Sequence, residues 1–489
     1  MPAKRSLTLA LALLLAVALP VRGATVPTIQ QIDLRPMADS SGPGPLVSFK
    51  DRLYFAADDG THGLELWRTD GAPDDSHTGT ELVCDLFSGA GNSFPRTLTV
   101  LGDWLYFTAD AGIARYRLYR TNGSVGSCEV VSEPWDFGST YELRAVGDQL
   151  WFGVLDSTDG VEPAMTTAAG TPAVVFNINP SGNSNPGGFT KLGSHVYFAA
   201  DNGTDGVELW KSNGTGATMV ADIDGAAGQG PNPAGLLTVG DTLYFAGTHP
   251  SGGNELMHAT VVGYTGYFDI NAGPDNSNPQ SLTNFNGQLY FTAFTADAGW
   301  ELWRVNSSGT SVERVMDILP GTASSYPNFL TPIGDWLYFN ADDGVNGYEL
   351  WRTDGTTTEM VKDIWAGASS SYPFGFVEHG GAVFFIANTG TAYTAFQTTG
   401  TAESTVEALT TTGTNPYVGC ECSTALVFVG DRLFTYLGNN EYGYEVAFVD
   451  PLLPSTNRDG SGLTTALLIG AALTAAAGLT LRMRAAQQQ

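Results

Sequence analysis

The sequence predicts an all-β fold of repeated four-stranded sheets, and three observations carry the prediction. The phrase ADDGTHGLELWRTDGA at residues 57–72 returns as ADDGVNGYELWRTDGT at 341–356. A second phrase, of the form GDxLYF, precedes it and recurs along the chain at intervals of 45 to 52 residues. Between the two chain ends no long segment has a helical period, while Gly, Pro, Asn and Asp punctuate short apolar runs, which is how β-strands and turns are written.

The second phrase places the units. Its apolar core begins at Leu53, Leu105, Leu150, Val196, Leu243, Leu289, Leu337, Val383 and Leu433, so nine units of about 47 residues fill the chain. A period of that length marks a repeat architecture. Within a unit the order is constant: a run such as LTVLG (98–102), a Gly-Asp turn, WLYFTAD, an acidic turn, a run such as ELWRTDG, another turn, and a run such as EMVKDI (359–364). Each unit therefore reads as a meander of four strands, with Gly and Asp where turns need positive φ or a side chain bonding its own backbone.

Runs such as LYF at 105–107 and 337–339 are apolar at consecutive positions. A sheet wet on one face alternates instead, so these strands belong to sheets covered on both faces. Stacked four-stranded sheets with this period are the blades of a β-propeller, whose ring leaves few open edges. The ninth unit ends after YEVAFVD (444–450) with no fourth strand, and the matching segment stands at the other end. TIQQIDLRPMADSSGP (28–43) parallels TEMVKDIWAGASSSYP (358–373), with Asp33 opposite Asp363 and Pro43 opposite Pro373. An N-terminal strand completing the last blade would close the ring. Nine blades exceed the usual four to eight, so either the ring is large or a weak unit is no blade. The third unit, with DGVEPAMTT, and the eighth, with AYTAFQTTGT, are the weakest.

ELWRTDGT at 349–356, with LYF before it and an Asp…Pro segment after it, resembles the ELWxxDGT repeat family, also called hyalin-like repeats. The resemblance spans residues 28–450, is strong in units one, four, six and seven, and fades in the third, fifth and eighth. It implies a β-propeller and an extracellular location, and it implies no reaction.

The chain ends read differently. Lys4 and Arg5 precede an apolar run, and small residues lead to Gly23, so residues 1–23 read as a signal peptide. Residues 24–450 are the repeat domain, 451–462 a stalk, and 463–481 an uncharged run of 19 residues that as a helix is about 28 Å long, near the ~30 Å of a bilayer core. Arg482 and Arg484 follow, which places the tail 482–489 on the cytoplasmic side and the repeats outside. Such an ending also looks like bacterial surface-sorting signals that are processed after export.

The formal charge of −28 becomes −31 without Lys4, Arg5 and Arg22, and this argues against nucleic acid or anionic lipid as partner of the main body. Cys84, Cys128, Cys420 and Cys422 are too few to frame a fold of this size, and their pairing is open. The acidic turns offer Asp58, Asp59, Asp342 and Asp343 as calcium ligands, since paired carboxylates beside carbonyls suit that ion. Asp before Gly is equally what a tight hairpin uses with no metal.

Glu65, Glu208, Glu301 and Glu349 share one slot, and satisfied structural carboxylates are the reading that a repeat favours. Trp67, Trp210, Trp303 and Trp351 read as wedges between blades. No GxSxG, HExxH or glycine-rich nucleotide loop is present. The expectation is a surface-exposed, non-enzymatic binding or adhesion module for an extracellular protein or glycan. The alternative is an exported polysaccharide hydrolase or lyase working through the central funnel.

Overall fold

The computed structural model describes residues 30–449, except for 36–39, 72–78, 114, 132–141, 157–159, 168–173, 224, 226–227, 409–416, 419–425 and 440–442. Residues 1–23 and 451–489, with the signal peptide, stalk, helix and tail read there, lie outside the described residues, as do Cys420 and Cys422. Among the described residues no helix is long and apolar enough to cross a membrane.

The described chain forms nine antiparallel sheets, one per sequence unit. The fold is a nine-bladed, all-β propeller. In blade 1 the strands are Val47–Phe49, Arg52–Asp58, Leu64–Thr69 and Thr80–Cys84, paired in that order from the inside outwards. The third and eighth units are full blades, beginning at Leu143–Val146 and Phe374–His379. Their missing ELW letters change side chains without removing a strand. The first strand of every blade lies against the first strands of its neighbours, and that of blade 9, Leu426–Val429, touches that of blade 1.

The second strands show why these runs are apolar throughout. Leu53, Tyr54 and Phe55 are all buried, as are Leu105, Tyr106 and Phe107. Alternate side chains point to opposite faces, and each face packs on a different blade. Leu53 and Phe55 cluster with Phe434 and Phe448 of blade 9, while Tyr54 and Leu66 cluster with Leu105 and Phe107 of blade 2. Each such side chain contributes roughly 1.5 to 3 kcal/mol on burial. Trp67 and Trp351 are buried wedges in this sense, facing the preceding blade; Trp210 and Trp303 are half-buried in the same slot.

Blade 9 draws on both chain ends. Gln30, Gln31 and Ile32 pair with Phe448, Ala447 and Val446 of its third strand. At the other side of that seam, Arg432 of blade 9 donates to the carbonyl of Asp70 in blade 1 (2.9 Å), and the Tyr436 hydroxyl donates to the carbonyl of Gly44 (2.6 Å). A disulfide joins Cys84, on the outer strand of blade 1, to Cys128 beside that of blade 2, with Cα atoms 6.2 Å apart.

Candidate binding face

Antiparallel strands put the turns at alternate ends of each blade. Turns joining second to third strands, and loops passing to the next blade, share one face; the remaining turns share the other. The phrase ELWRTDG runs from the first face to the second, and each of its letters has a structural duty.

Its Glu fixes the loop. The Glu349 carboxylate, fully buried, accepts from the N–H of Ile364 (2.7 Å), the N–H of Ser371 (3.0 Å) and the Ser371 hydroxyl (2.6 Å). Glu65 does the same with Leu86, Phe87 and Ser93, Glu301 with Ile318 and Ser325, and Glu255 with Ile270 and Ser277. Glu162 accepts from the N–H of Ile178 (2.7 Å). Glu445 of blade 9 reaches across the chain ends to the Ser41 N–H (2.8 Å) and hydroxyl (2.6 Å). Each of these carboxylates tethers the loop that carries the chain on to the next blade.

Glu208 is buried in the same slot, but Pro231 stands where the partner Ser would be; in blades 2 and 8 the Glu slot holds Arg117 and Thr394. Burial pushes Glu65, Glu162, Glu255, Glu301 and Glu349 upwards, against the pull of their donors. Glu445 is pushed up to about 7 by burial, with Asp33 adding to it. None of these six carboxyls touches solvent, so they serve the fold and not a substrate.

The remaining letters build the opposite face. Arg304 bonds Glu313 on its own fourth strand (2.7 Å) and the Gly355 carbonyl of the next blade (2.6 Å); Arg68 likewise holds Glu81 and the Gly123 carbonyl. Thr353 accepts the Gly355 N–H (3.1 Å), closing the turn. Gly355 has φ of +90°, and a Cβ there would stand 2.5 Å from the Tyr290 hydroxyl, so both backbone and space require glycine. A cleft of about 720 Å³ opens on this side between blades 7 and 8, lined by Trp336, Tyr338, Phe376, Asp335 and Glu378; Arg352 lies 3.7 Å over the Trp336 ring.

The four aspartates expected as calcium ligands lie on the first face. Asp58 accepts from the Gly60 N–H (2.7 Å) and pairs with Arg35 (2.7 Å); Asp59 accepts from the N–H groups of Thr61 and His62. Asp342 accepts from the Gly344 N–H, and Asp343 from those of Val345 and Asn346. Burial opposes ionisation of Asp59 and Asp343, but these donors outweigh it and hold both below the usual carboxylate range. Their geometry is that of side chains capping their own turns. Among the described residues no group of three or more His, Cys, Asp or Glu gathers as a metal would need.

One feature of this face was not read from the sequence. The residue just before Pro, after the clamping Ser or, in blade 4, after Pro231, is left-handed in every described loop of this type: Gly42, Phe94, Asn185, Asn232, Asn278, Tyr326 and Tyr372, with φ between 44° and 58°. Gly and Asn tolerate that conformation; bulky aromatics do not. Yet Phe94, Tyr326 and Tyr372 occupy it and remain 38%, 46% and 46% exposed. Phe329, at φ 59° on the next strand, is 53% exposed.

Blades 6 to 8 concentrate this character. Tyr326 stacks on Trp300 (6.3 Å), Trp300 meets Phe294 (6.2 Å), Tyr372 stacks on Tyr348 (5.1 Å), and Phe329 meets Phe374 (5.9 Å). The slot of Trp300 and Tyr348 holds Val161, Val207 and Asn254 in blades 3 to 5. An open hollow of about 410 Å³ adjoins Trp300 and Phe294, lined also by Asn271, Asp275, Asn276 and Asn278. The sequence signal was present in SSYP, SSYP and NSFP, whose aromatic before Pro stands where other units write Asn or Gly.

No family model matches the chain, and no curated protein matches it. Solved structures do match. One, from a structural and mechanistic study of two prolyl endopeptidases, is 12% identical with a TM-score of 0.42, over 73% of this chain and 55% of that one. A puromycin-hydrolysing peptidase of Mycobacterium tuberculosis is 12% identical with a TM-score of 0.37, over 64% of this chain and 52% of that one. The chain spans about half the length of these structures.

Proposed function

We propose that the protein is a binding or adhesion module: a closed ring of blades, exported and tethered by residues 463–481, that meets an extracellular ligand through the face carrying the Ser-x-Pro loops. One observation carries the reading, the exposed aromatics at left-handed positions. A Tyr at positive φ costs on the order of 1 to 2 kcal/mol over an ordinary backbone. Tyr326 and Tyr372 are still 46% exposed, and other blades meet the same backbone with Asn or Gly. Strained aromatics that each stack on a single neighbouring ring and still leave nearly half their surface open mark a surface kept for contact.

The test is ligand binding by the full chain on an array of glycans and extracellular proteins, repeated with the double variant Tyr326→Asn and Tyr372→Asn. Asn already occupies this slot in blades of the same fold, so the variant is expected to fold. Binding lost in the variant supports the reading; binding unchanged overturns it. The hydrolase or lyase alternative predicts turnover in the same samples, seen as newly released reducing ends.

A further inference from the structure

Resting on that reading, we infer that the aromatic platform of blades 6 to 8 is a docking site for a basic peptide segment, rich in lysine or arginine, of a partner protein. The argument is charge complementarity around an exposed aromatic surface. Tyr326 and Tyr372 are 46% exposed, each stacked on a half-buried ring, Trp300 and Tyr348. The turns and loops between and around them carry Asp275, Asp297, Asp317, Asp342, Asp343 and Asp363. Asp275 and Asp297 are exposed.

The cations that belong to these strands are already engaged: Arg314 lies 3.9 Å from Asp317, and the Lys362 ammonium donates to the Thr405 carbonyl. Burial, then Asp342, Tyr372 and Tyr326, push the Tyr348 phenol up to about 12, so its ring stays neutral. Neutral π faces ringed by carboxylates attract ammonium and guanidinium groups both by cation–π contact and by the summed field. A neutral sugar would use the rings but not the charge, and an anionic polymer would be repelled.

The spacing suits an extended chain. Equivalent slots on neighbouring blades each carry a stacked aromatic pair, Trp300 with Tyr326 and then Tyr348 with Tyr372. A flexible basic segment can place successive side chains on successive rings.

The probe is a synthetic peptide of eight Arg-Gly repeats, titrated into the full chain by calorimetry, beside neutral cellohexaose and a chitosan oligomer. The inference expects peptide binding that weakens at least tenfold in the Tyr326→Asn, Tyr372→Asn variant, weakens again in Asp275→Asn, Asp297→Asn, and falls with added salt. Trp336→Ala on the opposite face is expected to leave it unchanged. Peptide binding insensitive to both double variants overturns the inference. Cellohexaose binding that the Tyr variant abolishes, with no peptide binding, overturns the basic ligand while leaving the face as the binding surface. Preference for the chitosan oligomer over the peptide overturns the peptide as occupant. Loss of no ligand on changing the tyrosines sinks the face itself.

Discussion

Replacing Glu349 with alanine removes one clamp and leaves the rest of the fold in place. The side chain is unexposed and receives the Ile364 N–H at 2.7 Å, the Ser371 N–H at 3.0 Å and the Ser371 hydroxyl at 2.6 Å. Two of these donors have a second acceptor: the Ser371 N–H and hydroxyl also face the Tyr348 carbonyl, at 3.0 and 3.3 Å. The Ile364 N–H is then the group left stranded, which costs about 1 to 3 kcal/mol. Adding the weakened Ser371 bonds and the void, and crediting relief of a buried charge, the net loss is about 2 to 4 kcal/mol. Glu359, whose carboxylate on the outer strand pairs with Arg352 at 2.6 Å and is 44% exposed, supplies the control, since such a pair contributes roughly 0.2 to 1 kcal/mol. Hydrogen exchange over residues 364–371, read by mass spectrometry, reports the local opening. At about 1.4 kcal/mol per tenfold, Glu349→Ala should speed exchange there between roughly thirtyfold and several hundredfold, while Glu359→Ala barely moves it. Equal effects from the two substitutions would refute the clamp.

Other consequences are measurable. Glu445, pushed up to about 7 from an unfolded value of 4.5, favours the folded state in its protonated form. That contribution is complete below about pH 4.5 and is lost as pH rises through 7. Melting temperature should therefore decline across this window, and Glu445→Gln should flatten the decline; an unaltered slope in the variant counts against it. Reducing the Cys84–Cys128 bond, which closes a loop of 44 residues, should cost on the order of 3 to 4 kcal/mol by chain entropy, and a melt unmoved by reductant contradicts this. Tyr326→Asn and Tyr372→Asn should each raise stability, by about 1 kcal/mol or less, as strain is released; a fall in denaturation midpoint would show that the rings are held by packing instead. Calcium at the acidic turn would compete with the Val345 and Asn346 amides for Asp343 Oδ1, so added calcium is expected to move the melting temperature little, and a clear rise would support calcium binding at Asp342 and Asp343.

Much of the architecture could be read in the letters because a repeat writes the same physical demand many times. Consecutive apolar residues at Leu53, Tyr54 and Phe55 meant two covered faces, and the structure packs them against blades on either side. The weak third and eighth units were harder: DGVEPAMTT keeps Glu162 and its contact to Ile178 while losing the Trp, so the strand survives where the motif fades. The Glu slot was recognised at Glu65, Glu208, Glu301 and Glu349 but not at Glu162, Glu255 and Glu445, whose neighbours differ. Its partner Ser, some 22 to 28 residues downstream in Glu349, Glu255 and Glu65, was invisible because a lone Ser in a loop has no signature. The aromatic face was missed for a related reason: left-handed backbone before Pro is a property of conformation, and Tyr is the last residue that propensity would place there.

The most direct measurement of the central claim is a double-mutant cycle between Ser41 and Glu445, residues 404 apart in the chain whose side chains meet at 2.6 Å. If the first loop and the last full strand share one clamp, Ser41→Ala, Glu445→Ala and their combination should show a coupling of about 1 to 3 kcal/mol in unfolding free energy. Strict additivity of the two substitutions would mean that the chain ends do not meet, and the ring would have to be redrawn.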